Sequence, residues 1–335
     1  MKIRTLANLL RSGQLLAGLK LLGMLKPFYR LTFLAAAKST GLFELLSHKP
    51  VPFDQLASHY CRDANAHDAL RAWLQLGVKL RLLKESNAGF ELDGLSKSFS
   101  RPANDAVLAL AQETAGLHHS LILGTLDRLQ KGDLWGLSDQ DGELIARSSR
   151  SLEPFQTDAI DQTFPSSGAT RLLEVGCGSA FYIQYAARKN PSLTALGIEL
   201  QPNVAEVATQ HIKDWGLHDR VKIETGDIRH KQPQELFDIV TLYNNIYYFT
   251  VQERPAFLSH LRTFLKPAGF LLLTTCCQGG SLGIELLNLW GASTAGCGRL
   301  PSVDEMKNQL LQAGFKNVDL LSAAPGVSFY GFKAS

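Results

Sequence analysis

"LLEVGCGSA", Leu172 to Ala180, decides how this chain is read. A short apolar run carries one acid, Glu174, and ends in two glycines, Gly176 and Gly178, one residue apart. Such a run reads as a buried strand that breaks into a loop of bare backbone. At the carboxyl end of a parallel strand, a loop of this kind holds a nucleotide. The dinucleotide fingerprint, G-x-G-x-x-G or A, needs a small residue at its last position. That position falls on Phe181, which is too large for close helix–strand packing; the small residue, Ala180, stands one place earlier. The pattern is therefore E-x-G-x-G-x-A.

Working outward, the chain after Arg150 alternates strand and helix. "TRLLEVG", "LTALGIEL", "VKIETGD", "FDIVTLY" and "GFLLLTT" read as strands, and "AFYIQYAARKN", "NVAEVATQHIKDW" and "ERPAFLSHLRTFLK" as helices. That order implies an α/β fold, a mainly parallel sheet with helices on both faces. The tail adds a helix, "EMKNQLLQAGF", and two strand-like stretches, "NVDLLSA" and "VSFYGFKA". Two domains are expected, residues 1–150 and 151–335.

Two further acids stand at strand ends. "GIEL" puts Glu199 at the end of the second strand, where a carboxylate can accept from both hydroxyls of a ribose. "TGDI" puts Asp227 at the end of the third. Glu174, Gly176, Gly178 and Ala180 with these two acids resemble class I S-adenosylmethionine-dependent methyltransferases, whose first motif is usually E/D-x-G-x-G-x-G. The resemblance covers roughly Thr170 to the C-terminus. It implies a Rossmann-like seven-stranded domain and S-adenosylmethionine as cofactor. It further implies that Asp227 meets the adenine amino group, that Ile228 packs on the ring, and that Leu200 and Tyr243 belong to the same site. Ala180 departs from the last glycine of the motif, and a small side chain is expected to be tolerated there.

The first half is mostly helical. "LTFLAAAKSTGLFELL", "VPFDQLASHY" and "AHDALRAWLQLGVKLRLL" precede a hairpin, "LLKESNAGFELD", with an Asn-Ala-Gly turn. Three helices and a small hairpin is a winged-helix order. With the domain that follows, it resembles the small-molecule O-methyltransferases of plant and bacterial secondary metabolism. That resemblance implies a homodimer formed through the N-terminal part, which also covers the acceptor. A winged helix also belongs to DNA-binding regulators. Between residues 55 and 85, however, Asp63, Asp68 and Glu85 interrupt the basic residues Arg62, Arg71, Lys79, Arg81 and Lys84, so there is no basic stripe. No nucleic acid is expected as a partner.

The fourth strand runs into "FDIVTLYNNIYYFTVQER". The O-methyltransferases carry a general-base histidine after this strand, and in register that position falls on Tyr247. The polar positions before it fall on Asn244 and Asn245. A tyrosine with a pKa of about 10 is a poor base at neutral pH. Three readings remain. The acceptor ionises easily, as a carboxylate, acidic phenol or enol does; or carbon or nitrogen receives the methyl group; or His118 or His119 is the base, with at most one of these neighbours reaching the pocket. Tyr247, Asn244, Asn245 and His119 are the candidate catalytic residues. Beyond the fifth strand, "CCQGGSLGIELLNLWGASTAG" reads as a flexible lid and helix around Leu287 and Trp290, over an apolar acceptor.

Composition limits the remaining classes. A net charge of +3 is too small to argue for nucleic acid. Five cysteines, an odd number with no C-x-x-C pair, read as reduced thiols in a cytoplasmic protein, and no metal constellation is visible. Before the first acid, Glu44, stand seven lysines and arginines on a leucine-rich stretch. Arg11, Lys20 and Lys26 interrupt it, which argues against a membrane span. Packing on its own fold or on a partner subunit is favoured over contact with a membrane surface. The reading of another class is a regulator that keeps the fold and binds the nucleotide without transfer.

Overall fold

Phe33 and Trp73 stack with ring centroids 4.2 Å apart, and around them the first unit is built. The computed structural model describes residues 11–322 and 326–335. The chain divides into two units, one of residues 1–122 and 140–151, the other of residues 123–139 and 152–335.

In the first unit the long helix Gln14–Ser39 buries only its C-terminal part, through Phe33, Leu34, Ala35 and Ala37. The helices Phe53–Tyr60 and His67–Lys79 follow, then strands β1 (Leu83–Ser86) and β2 (Gly89–Leu92) as an antiparallel pair. Val51 bridges to Phe90 on the outer side of β2, so the wing has a third, single-residue rung. This is the winged-helix order expected from the sequence. Its core joins Leu42, Phe43, Leu56, Leu74, Leu82 and Phe90. The helix Asp105–Glu113 passes through a π-helical stretch, Thr114–His118, into the helix His119–Gln130. Arg147 clamps Asp105 with two bonds of 3.0 and 2.6 Å.

Residues 123–139 group with the second unit, although the sequence reading put them in the first. The reason is Trp135. Its N–H donates to Ser293 O at 2.8 Å, its carbonyl accepts from Ala295 N at 2.8 Å, and Arg128 lies 4.0 Å over its ring.

The second unit holds seven strands: β3 (Thr170–Val175), β4 (Leu193–Glu199), β5 (Val221–Thr225), β6 (Phe237–Tyr243), β7 (Leu265–Cys276), β8 (Val318–Leu320) and β9 (Phe329–Ala334). Their order in the sheet is β5-β4-β3-β6-β7-β9-β8. All neighbours are parallel except β7–β9 and β8–β9. Strand alternation sorts the apolar residues into two cores. Leu173, Val175, Val240, Leu242, Leu271 and Leu273 share one with the helices Arg254–Arg262 and Val303–Gln312. Leu172, Ile239 and Leu272 share the other with the helices Glu153–Thr163, Phe181–Lys189 and Pro202–Asp214. The order reverses between β3 and β6, so the crevice lies at the carboxyl ends of those two strands. Among the described residues no helix is long and apolar enough to cross a membrane.

Candidate active site

The loop after β3 is an alternation of left-handed residues: Gly176 at φ 67°, Gly178 at 52° and Ala180 at 62°. Only glycine adopts that conformation without strain. Gly176 has a second reason to lack a side chain, since a Cβ there would lie 2.4 Å from Asn245 Nδ2. A Cβ on Gly178 would meet nothing within 4 Å, so the loop presents bare backbone to open space. Ala180 opens the helix Phe181–Lys189, is fully buried, and donates its N–H to Cys177 O at 2.8 Å. Its methyl group packs well there, and that offsets the strain of its backbone.

Glu199 binds this loop to the next strand end. One carboxylate oxygen accepts from Gly178 N at 3.0 Å and the other from Gln201 N at 3.1 Å. Each oxygen keeps a lone pair for a further donor. Beside it Leu200 is exposed, an apolar surface at the strand end. Asp227 faces Arg229, accepting from its backbone N at 2.9 Å, from Nε at 2.9 and 3.0 Å and from Nη2 at 2.6 Å. The hydrogen bonds from Arg229 hold the Asp227 carboxyl below the usual range. Ile228 is buried, and its carbonyl meets His260 Nε2 at 2.9 Å.

Among the described residues, Glu174 Oε2 and Asn244 Oδ1 at the β3 and β6 ends are buried without a hydrogen-bond partner, and Tyr243 Oη is buried beside them with Thr241 as its polar neighbour. Burial pushes the Glu174 carboxyl well above its ordinary value. Burial, and after it the Glu174 carboxyl, pushes the Tyr243 phenol up. Buried polar groups normally have partners, so such a cluster beside an open glycine loop fits a ligand that brings its own donors and positive charge. S-adenosylmethionine, with an ammonium and a sulfonium, has both. Cys177, inside the loop, is an inert thiol: burial, then Glu174 and Glu199, push its pKa up.

At the acceptor end, Asn244 takes a left-handed backbone, φ 53°. Asn245 turns back onto the glycine loop, with a long contact of 3.4 Å from Nδ2 to Val175 O. Tyr247 lies in the single turn Ile246–Tyr248, buried, its ring edge-on to Trp290 at 5.9 Å. Tyr248 meets the same tryptophan at 5.4 Å. Trp290 belongs to the helix Leu282–Ser293, the segment read as lid and helix. In the first unit, His118 Nε2 lies 3.0 Å from Glu113 Oε1, while His119 is exposed with its ring 5.8 Å from Phe28. Sequence reasoning did not single out Arg254, which is fully buried between the loops of this end. A charged residue reads as solvent-facing, and no spacing rule marks the exception. Among the described residues no group of three or more His, Cys, Asp or Glu side chains could hold a metal ion.

Residues 173–271, the stretch that contains the glycine loop and all three acids, match the family described as methyltransferase domain. The chain carries a methyltransferase domain of the S-adenosylmethionine-dependent class. Over nearly the whole chain the likeness is one of fold. The mitomycin 7-O-methyltransferase MmcR superposes with a TM-score of 0.78 over 97% of this chain and 100% of its own, at 19% identity. Human N-acetylserotonin methyltransferase, solved with S-adenosylmethionine, does so with a TM-score of 0.69 over 95% and 97%, at 18% identity. In sequence, the chain is similar to the mitochondrial ubiquinone biosynthesis O-methyltransferase of Schizosaccharomyces pombe. That match is 26% identical over 181 residues, 53% of this chain and 62% of the relative. Matches to the first curated relatives span between 21% and 62% of their length.

Proposed function

We propose that this chain transfers the methyl group of S-adenosylmethionine to a small, largely apolar or aromatic acceptor, on oxygen. The observation that carries the reading is the Glu199 carboxylate held on Gly178 N at 3.0 Å beside an open glycine loop. That arrangement offers a ribose two acceptor oxygens of fixed direction. Bound S-adenosylmethionine supplies a methyl group made electrophilic by its sulfonium.

The chain's own residues then do three things. Glu199 and the glycine loop hold the ribose, and Asp227, Ile228 and Leu200 take the adenine. The buried Glu174 and Tyr243 meet the donors of the amino-acid end. Tyr247, Tyr248 and Trp290 give the acceptor an aromatic wall, which orients it while leaving no side chain of ordinary basicity at the position of the family's histidine. An acceptor that ionises easily needs no more than that alignment. The wall is built for flat, apolar molecules, and the O-methyltransferase relatives support oxygen as the target atom. The working form is a homodimer, and the protein acts in the cytoplasm.

Calorimetry with S-adenosylmethionine and with NAD tests the cofactor. Tighter binding of NAD would overturn the reading. Methyl-labelled S-adenosylmethionine incubated with a small-molecule extract tests the transfer. Label appearing in an ether or ester supports oxygen, label on carbon or nitrogen corrects the target atom, and binding with no S-adenosylhomocysteine released by any fraction would favour a non-catalytic regulator.

A further inference from the structure

Arg254 is the largest fully buried side chain among the described residues. It opens the helix Arg254–Arg262, where a cation does not help the helix dipole. Among the described residues no carboxylate makes an ion-pair contact with it; Glu305, bound to Arg299 at 2.7 and 2.9 Å, acts on it only at longer range. Its Nε donates to Phe249 O at 3.2 Å and its Nη2 to Arg299 O at 2.6 Å, while Nη1 is buried without a partner. Burial lowers its pKa to about 10, so it is still a cation at neutral pH. A buried, unpaired cation is unfavourable, and an apolar side chain of similar volume is often the more stable choice. An apolar side chain cannot, however, donate to carbonyls of two separate loops from one rigid fork.

Those two loops carry the acceptor end. Phe249 follows Tyr247 and Tyr248. Arg299 follows Gly298, whose N–H donates to Tyr247 O at 2.9 Å. Gly298 has no room for a side chain: a Cβ there would lie 2.6 Å from Phe249 O and 2.7 Å from Arg254 Nη2. On the other side, a Cβ on Gly291 would lie 2.5 Å from Gly298 O. Gly291 is the neighbour of Trp290. A continuous path of contacts therefore runs from the guanidinium through Gly298 to the helix turn that aims Trp290 at both tyrosines.

We propose that Arg254 is the positioning residue of the aromatic wall: its fork sets the spacing between Trp290 and the pair Tyr247–Tyr248, and with it which acceptors the wall takes. The assignment to acceptors rests on the function proposed above, while the spacing of the rings does not.

Three variants test it. Arg254→Met keeps the volume and removes the fork, Arg254→Lys keeps the charge and one donor group, and Gly298→Ala displaces the fork with the guanidinium intact. The readout is the near-ultraviolet circular dichroism of Trp290, isolated by subtracting the spectrum of the matching Trp290→Phe protein. A parallel readout is the Kd for S-adenosylmethionine. Arg254→Met and Gly298→Ala should lose more than half of the Trp290 signal, and Arg254→Lys should keep more than half. Affinity for S-adenosylmethionine should stay within about threefold, because the cofactor loop is held by Glu199 and Asn245. An undiminished Trp290 signal in both Arg254→Met and Gly298→Ala would overturn the proposal. So would an affinity drop of about tenfold or more alongside the lost signal, which would make Arg254 a general structural post. Where Arg254→Met does not fold, Gly298→Ala decides. A wild-type protein that binds no S-adenosylmethionine refutes the proposed function, whereas the Trp290 signal still decides the role of Arg254.

Discussion

Glu199 is the residue on which the cofactor reading turns. Glu199→Ala should weaken S-adenosylmethionine binding by about 1.5–3 kcal/mol, the usual loss for hydrogen bonds to a charged group. Calorimetry measures it, and unchanged affinity would remove Glu199 from the ribose. Tyr247, proposed above to take the position of the family's base, is packed against Trp290. If it only orients the acceptor, Tyr247→Phe loses one neutral hydrogen bond, about 0.5–1.5 kcal/mol, or roughly three- to twelvefold in kcat/KM. If it were the base, the loss would be about 10²–10⁴-fold. A fall beyond a hundredfold would therefore sink the orienting role. Glu174 gives a pH prediction. Its folded-state pKa is raised by burial, so the native state binds a proton that the unfolded state has released. Its contribution to stability then falls as pH rises above the ordinary carboxyl value. Glu174→Gln should be more stable than wild type at neutral pH, with the gap closing towards pH 4. Denaturant midpoints across that range check the sign, and a gap that widens on acidification would contradict it. The amide is expected to weaken S-adenosylmethionine binding, since it cannot release a proton to become the anion that a cationic ligand favours.

At the scale of elements, the loop between β3 and the helix Phe181–Lys189 is held from behind by Asn245, which belongs to the loop after β6. Gly176→Ala should destabilise by about 2–3 kcal/mol, from a left-handed alanine and a collision with the Asn245 amide. Gly178→Ala has the same backbone strain but open space, and should lose only about 1–2 kcal/mol. Urea midpoints at constant m-value compare them. Equal losses would mean that the Asn245 contact contributes nothing. The asymmetry was not legible in the motif, where the two glycines look equivalent. Most of the elements were legible, because the central strands β3, β4 and β6 are short, largely apolar runs bounded by polar or glycine residues. The π-helical stretch Thr114–His118 was not, since its residues are as good in an α-helix. Nor was the affiliation of residues 123–139, which follows from Trp135 pairing with a segment about 160 residues further along.

At the scale of the whole molecule, the helix Gln14–Ser39 leaves Leu16, Leu22 and Met24 more than 60% exposed. Residues 1–10, the rest of the basic start, lie outside the described residues. A run of exposed leucines is unusual on a chain that works alone. A second copy of the chain is the expected cover. Light scattering should find a dimer for the full chain and a monomer for one lacking residues 1–30. A full-length monomer that binds anionic vesicles would reverse this in favour of a membrane surface, since the helix carries Lys20, Lys26 and Arg30 and no acid.

Sequence by itself determined the order of strands and helices, the glycine loop and the acids at three strand ends. These follow from local rules: apolar alternation, glycine's tolerance of left-handed backbone, and the position of a carboxylate at the end of a strand. Only the tertiary structure decided what those residues touch. It brought the Glu199 carboxylate onto Gly178, turned Asn245 onto Gly176, and held Asp227 in the fork of Arg229. It also buried Arg254 between two loops, where its fork donates to one carbonyl of each. Local pattern specifies backbone conformation residue by residue. The direction of a side chain, and the burial of a charge, depend on which distant segments the sheet order brings alongside.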